Sequence, residues 1–203
     1  MKFVLIILGV LSATASQSQS RLDLEKIALK ADVKPLVKGK KIKENPLDMY
    51  TSLPSIYTED VTTYKFGKYA FSKGGENGPD DDERNSVSFL LYDQVSKKMA
   101  GMNLKVKKTS ESKTLFSYLK THYGTPQVIK EPQKPNAQGQ VRGNAVYLWK
   151  NGIGKKAILL IAQGEERNKK FVYNSNLYVL DPAVKLKSPH VNETVLSYLL
   201  KGL

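Results

Sequence analysis

The sequence predicts an α+β fold: an antiparallel sheet of about five to seven strands, a central amphipathic helix over 109–123 packed on one face, and a C-terminal helix over 189–200. Three observations predict it. In Thr109 to Pro126 (TSESKTLFSYLKTHYGTP), Leu115, Phe116, Leu119 and Tyr123 recur at helical spacing and form one apolar face. Short segments of strand character lie on both sides of that stretch, punctuated by Gly, Asn and Pro. Ala157 to Ala162 (AILLIA) is continuously apolar, the pattern of a central strand buried on both faces.

In chain order, Lys2 and the apolar run Phe3 to Leu11 precede Ala13-Thr14-Ala15, a small-x-small cleavage pattern. Residues 1–15 therefore read as a secretory signal peptide, with the mature chain starting near Ser16. The apolar run is shorter than the ~20 residues a spanning helix needs. The chain contains no cysteine, so no lipid anchor of the thioether type follows the run, and disulfides, thiolate metal sites and cysteine nucleophiles are excluded. The expected location is a periplasm or the extracellular space, and the composition leans towards a bacterial origin.

Residues 16–45 read as a basic, partly disordered N-terminal arm, with a short helix over Arg21 to Lys30 and a lysine-rich stretch from Lys34 to Lys43 (KPLVKGKKIK). Residues 46–203 read as a single domain. Asn45 to Tyr57, interrupted by Pro46 and Pro54, packs irregularly. Tyr64 and Phe66, then Tyr69 and Phe71, alternate with polar neighbours around Gly67, as in a bent hairpin. Gly74 to Glu83 (GGENGPDDDE) is a loop.

Ser86 to Tyr92 and Met99 to Lys107 are strands; in the second, Ala100, Met102, Leu104 and Val106 share one face. The helix follows. Thr109 and Ser110 are its candidate caps, Glu111 and Lys120 complement its dipole, and Gly124 and Pro126 end it. Gln133 to Gly143 is a polar loop. Ala145 to Lys150, Ala157 to Ala162 and Phe171 to Leu180 complete the sheet, with Asn151-Gly152 turning between the first two and a bulge expected at Asn174-Ser175-Asn176. Pro189 opens the last helix, whose stripe is Val191, Val195, Leu196 and Leu199.

The formal charge is +13, from 32 Lys+Arg against 19 Asp+Glu. Only Arg21, Arg84, Arg142 and Arg167 are arginines. That bias weighs against sequence-specific nucleic-acid recognition, which relies on forked guanidinium contacts, and suits attraction to an anionic surface or polymer.

The histidines are His122 and His190, and neither stands at metal-ligand spacing from another donor. His122 reads as a favourable charge at a helix end. There is no Gly-x-Ser-x-Gly elbow, and Gly152-Ile153-Gly154-Lys155-Lys156 lacks the spacing of a phosphate loop. The acidic run Asp80, Asp81, Asp82 and Glu83 offers calcium ligands, but three consecutive side chains rarely converge on one ion, so a solvated turn is the simpler reading. No catalytic residue, cofactor or metal site is therefore expected.

One constellation carries geometric content. If Val146 and Leu148 face the helix, parity sends Tyr147 and Trp149 to the opposite side, where Lys105 and Lys107 would also point. Trp149, Tyr147, Lys105 and Lys107 would then form an aromatic and cationic surface for a sugar or an anionic polymer, provided no other element covers it. The expectation is an exported, non-enzymatic binding or interaction domain whose partner is an envelope protein, a glycan or an anionic surface. The alternative is an exported hydrolase with its site assembled from separate strands.

Overall fold

The computed structural model describes residues 21–74, 84–134, 136–138, 143–152, 155–167, 170–186 and 192–203. In chain order the strands are β1 (Leu22–Asp23), β2 (Lys43–Asn45), β3 (Ser55–Thr58), β4 (Tyr64–Phe66), β5 (Tyr69–Ala70), β6 (Ser86–Leu91) and β7 (Met99–Val106). Helix α1 (Thr109–Tyr123) follows, then β8 (Gln127–Lys130), β9 (Gly143–Gly152), β10 (Lys156–Arg167), β11 (Lys170–Leu180) and helix α2 (Val195–Lys201). The fold is mixed α+β. Its main sheet has eight strands, more than the five to seven expected, in the order β2-β3-β6-β7-β11-β10-β9-β8, and a three-stranded sheet runs β1-β4-β5. All pairings in the main sheet are antiparallel, whereas β1 joins β4 in parallel. Among the described residues, no helix is long and apolar enough to cross a membrane.

Helix α1 has the bounds its sequence pattern predicts. Gly124 ends it with φ +80°, a backbone conformation that L side chains rarely adopt. The expected caps act differently. Lys108 occupies the capping position without a side-chain bond, and the Thr109 hydroxyl accepts from the Tyr173 amide instead, tying the helix start to β11. The Glu111 carboxylate accepts from the Ser72 amide and the Asn85 side chain, so it anchors the neighbouring loop as well as complementing the dipole.

The main sheet carries a separate apolar core on each face. On the first face, Leu115 and Leu119 of α1 pack with Met102, Leu104, Leu160, Leu177 and Trp149. On the second, Leu53 and the C-terminal residues Val184, Leu186, Val195 and Leu199 pack with Leu90, Val146, Leu148, Leu159 and Leu180. Each such aliphatic side chain stabilises the fold by about 1.5–3 kcal/mol on burial.

This arrangement corrects the predicted partners of α1. Met102 and Leu104 lie beneath it, but Ala100, Val146 and Leu148 belong to the opposite core. For Ala100 the cause is a register shift: Leu90 pairs with Gly101 and Leu91 with Met99, which resets the alternation of β7. The expected bulge at Asn174-Ser175-Asn176 is replaced by unbroken pairing with β10, Ala162↔Ser175 and Ile161↔Asn176 included.

Residues 21–45, expected as a basic arm, contribute Leu24, Ile27, Val33 and Val37 to the first core, through 3-10 turns rather than an α-helix. The hairpin around Gly67 forms as expected. Gly67 has φ +59°, and a Cβ there would fall 1.9 Å from the Tyr118 hydroxyl. The C-terminal helix begins at Val195 and not at Pro189. The Lys185↔Thr194 bridge holds Thr194 extended, and the Thr194 hydroxyl caps the helix by accepting from the Ser197 amide at 3.2 Å. Pro189 and His190 lie outside the described residues, as do residues 1–20 and the acidic run 80–83.

Candidate ligand surface

The residues that sequence parity grouped together are placed on opposite faces of the sheet. Trp149 is 3% exposed in the first core, and its indole N–H donates to the Gly124 carbonyl at 2.8 Å, joining the end of α1 to β9. Tyr147 lies on the same face, its ring 4.6 Å from that of Phe116. Lys105 is on the second face, where it pairs in register with Asn176 of β11 and Ser86 of β6. Its ammonium sits 5.9 Å from the centre of the Tyr50 ring. Lys107 lines the same hollow as Lys105. The proposed four-residue surface therefore does not exist as one patch. The parity of β9 was right, but its two faces were exchanged relative to the helix.

The second face offers a different surface. Its apolar core occupies only one end, under α2 and the 184–186 segment. Towards the other end the inward positions become polar. Gln163 pairs with Asn144 and Asn174, and Ile161 pairs with Val146 and Asn176. Above this floor is an open hollow of about 670 Å³, lined by Asn144, Gln163, Asn176 and Tyr178 below and by Met49, Tyr50 and Tyr198 at the rim. The side-chain amides of Asn144, Gln163 and Asn176 are half-buried and have no hydrogen-bond partner among the described residues. Each amide offers a donor and an acceptor to a ligand. Asn174 differs, since its amide donates to Glu165. Glu193 and Lys201, also at the rim, pair with each other at 2.8 Å.

The rim residues Met49 and Tyr50 are exposed because a tight turn projects them. Asp48 accepts from the amides of Tyr50 and Thr51 and from the Thr51 hydroxyl, at 2.9–3.1 Å. Its own amide donates to the Leu53 carbonyl, which closes the turn. Met49 is 76% exposed and Tyr50 is 49% exposed. Tyr198, 40% exposed, reaches the hollow from α2, whose Val195 and Leu199 are buried.

A second, smaller hollow of about 270 Å³ adjoins the first across the Asn176↔Lys105 pair. Ser86, Ser88, Lys105 and Lys107 line it together with Ser55 and Tyr57. Its carboxylates are committed elsewhere: Asp48 to its turn, and Glu59 to Arg84 and the Tyr57 hydroxyl. Between the hollows, Asn103 is buried beside Ser88 and Tyr178, and its side-chain oxygen has no hydrogen-bond partner among the described residues.

A separate polar cluster lies at the far end of α1. The buried Glu25 carboxylate accepts from the hydroxyls of Tyr118, at 3.0 and 3.1 Å, and of Tyr123, and His122 Nε2 lies 3.3 Å from it. Burial and the Glu25 carboxylate push both phenols well above the ordinary tyrosine range. The Lys156 ammonium donates to the backbone carbonyls of Glu25 and Ile27, and burial lowers its pKa against the opposing pull of Glu25. His122 is thus more than a charge at a helix end, because it flanks a carboxylate that fastens residues 23–27 to the helix. The hydroxyls beside it are phenols held in their neutral form, and it lines neither hollow. Among the described residues no group of three His, Cys, Asp or Glu side chains could hold a metal ion.

Sequence reasoning missed Tyr50, Asn144, Gln163, Asn176 and Tyr198. A signal was available for Gln163 and Asn176. Amides at alternate positions of otherwise apolar central strands, as in Asn174 and Asn176 or Gln163 after AILLIA, mark one face as polar at that level. Tyr50 and Tyr198 arrive from distant segments and left no such trace. The sequence matches no family model, and it matches neither a curated protein nor a solved structure.

Proposed function

We propose that this chain is an exported, non-enzymatic binding protein, and that it holds a saccharide in the larger hollow on the second face of the sheet. One observation carries the reading: half-buried amides without partners among the described residues form the floor, and exposed aromatic rings form the rim. Carbohydrate recognition combines these two chemistries. Side-chain amides match the donor and acceptor pattern of neighbouring hydroxyls, and the C–H face of a sugar ring packs on the electron-rich face of an aromatic ring. A floor built on sheet strands and a rim fixed by the Asp48 turn supply a largely pre-formed site. Export is supported by Lys2, the apolar run Phe3 to Leu11 and Ala13-Thr14-Ala15, and N-terminal sequencing of the exported protein should begin near Ser16.

The test is affinity electrophoresis of the purified protein in gels containing individual polysaccharides, followed by titration of the best retardant. Tyr198→Ala and Asn176→Ala should each weaken binding about tenfold or more, the loss of one good stacking or hydrogen-bonded contact. Their melting temperatures should stay close to wild type, because both side chains are partly exposed. Full affinity in both variants would end the proposal.

A further inference from the structure

Resting on that saccharide reading, we propose further that the ligand is an acidic glycan, with neutral rings in the larger hollow and a carboxylate in the smaller one beside Lys105. The two hollows are neighbours on the same sheet face, because Asn176 at the floor of the first is the direct register partner of Lys105 at the edge of the second. From β9 to β3 the surface crosses six adjacent strands, roughly 24 Å at a spacing of about 4.8 Å per strand. That length accommodates several linked sugar rings rather than one.

Charge divides the surface. In the larger hollow Glu193 and Lys201 neutralise each other, leaving an amide floor without net charge. In the smaller hollow both carboxylates are already engaged, whereas the Lys105 ammonium, beside the Tyr50 ring, has no hydrogen bond or ion pair among the described residues. A cation over an aromatic face, with the hydroxyls of Ser86 and Ser88 on adjacent strand positions, is a site for a carboxylate group. The chain's charge of +13 favours the approach of such a polymer.

Other polyanions fit this surface less well. An acidic peptide binding as a strand needs an open backbone edge, and this surface is a sheet face. A nucleic acid carries a phosphate at every step and would set phosphates over the neutral floor and beside Glu193.

The experiment titrates the purified protein with polygalacturonate, alginate and hyaluronate, and with the carboxyl-reduced, neutral form of each. Polyglutamate and single-stranded DNA serve as non-saccharide polyanions, all at about 0.15 M salt, where the screening length is about 8 Å. At least one acidic glycan should bind about tenfold or more tighter than its reduced form and tighter than either non-saccharide polyanion. Lys105→Ala should abolish that preference while retaining affinity for the neutral form. Lys113→Ala, which removes the same charge from the exposed side of α1, should change nothing. Equal binding of acidic and reduced glycans, or a preference that survives Lys105→Ala, overturns the acidic-ligand inference. Binding to the neutral form that Tyr198→Ala destroys would in that case leave the saccharide reading standing. Tighter binding of polyglutamate or DNA than of any glycan overturns both.

Discussion

Replacing Trp149 tests the decision on which the whole assignment of faces depends. The side chain is 3% exposed, and a buried indole removes about 150–250 Å² from water. At about 25 cal/mol per Å² this corresponds to roughly 4–6 kcal/mol, an upper bound because the unfolded chain already shields part of that area. Trp149→Ala should therefore destabilise the protein by about 4 kcal/mol, within the range of large-to-small core substitutions. Trp149→Phe keeps most of the contact but loses the bond to the Gly124 carbonyl, and should cost about 2 kcal/mol. Urea unfolding followed by far-ultraviolet circular dichroism measures both. With a slope of about 2 kcal/mol per molar, the alanine variant should unfold about 2 M earlier. Trp149 is the single tryptophan, so wild-type fluorescence should be blue-shifted and resist iodide quenching until the fold is lost. A freely quenched indole, together with an alanine variant within about 1 kcal/mol of wild type, would refute the burial of this face and restore the open surface that parity had suggested.

The Glu25 cluster makes a second prediction. Glu25→Ala strands the buried Tyr118 hydroxyl and frees residues 23–27, and should cost about 3 kcal/mol, while Glu25→Gln should cost about half as much. His122→Ala should cost less than about 1 kcal/mol, because that side chain is 42% exposed; an equal loss from the histidine and glutamate variants would contradict this account of the cluster. A third prediction concerns alkaline pH. Burial raises Tyr64, Tyr69, Tyr92, Tyr118, Tyr123 and Tyr178 above their ordinary value of 10.0, and Tyr173 to about 12. The unfolded chain then loses these protons first, so their contribution is intact below pH 10 and is lost as pH rises through the folded values. Lys156, lowered by burial, acts in the opposite sense below 10.5, but it is one group against several. The melting temperature should fall above about pH 10, with tyrosinate absorbance at 295 nm rising together with unfolding; a flat melting temperature to pH 11.5 would contradict the burial of these phenols.

Much of the secondary structure was legible because it depends on local rules. The bounds of α1 follow from its apolar spacing, from Gly124 and from Pro126, and the hairpin at Gly67 follows from alternation broken by a residue tolerant of positive φ. The late start of α2 was not legible, because the Lys185↔Thr194 bridge that holds Thr194 extended involves a partner outside the helix. A short helix was expected over Arg21 to Lys30 within a partly disordered arm, yet Leu24, Ile27, Val33 and Val37 join the first core through 3-10 turns, a packing set by distant residues. The ligand surface was legible only as a hint in Asn174, Asn176 and Gln163.

By itself, the sequence determined that this is an α+β chain with a long antiparallel sheet, a basic surface and no thiol chemistry, since composition and periodicity are properties of the chain alone. It also determined that Tyr147 and Trp149 lie on one side of their strand and Val146 and Leu148 on the other. A period of two divides a strand into two faces without saying what covers either. The tertiary structure decided that α1 lies over Trp149, that α2 and the 184–186 segment cover only one end of the opposite face, and that Tyr50 and Tyr198 frame the part left open. The physical reason is that both sets of side chains are apolar enough to be buried, so the choice between faces rests with covering segments far away in the chain.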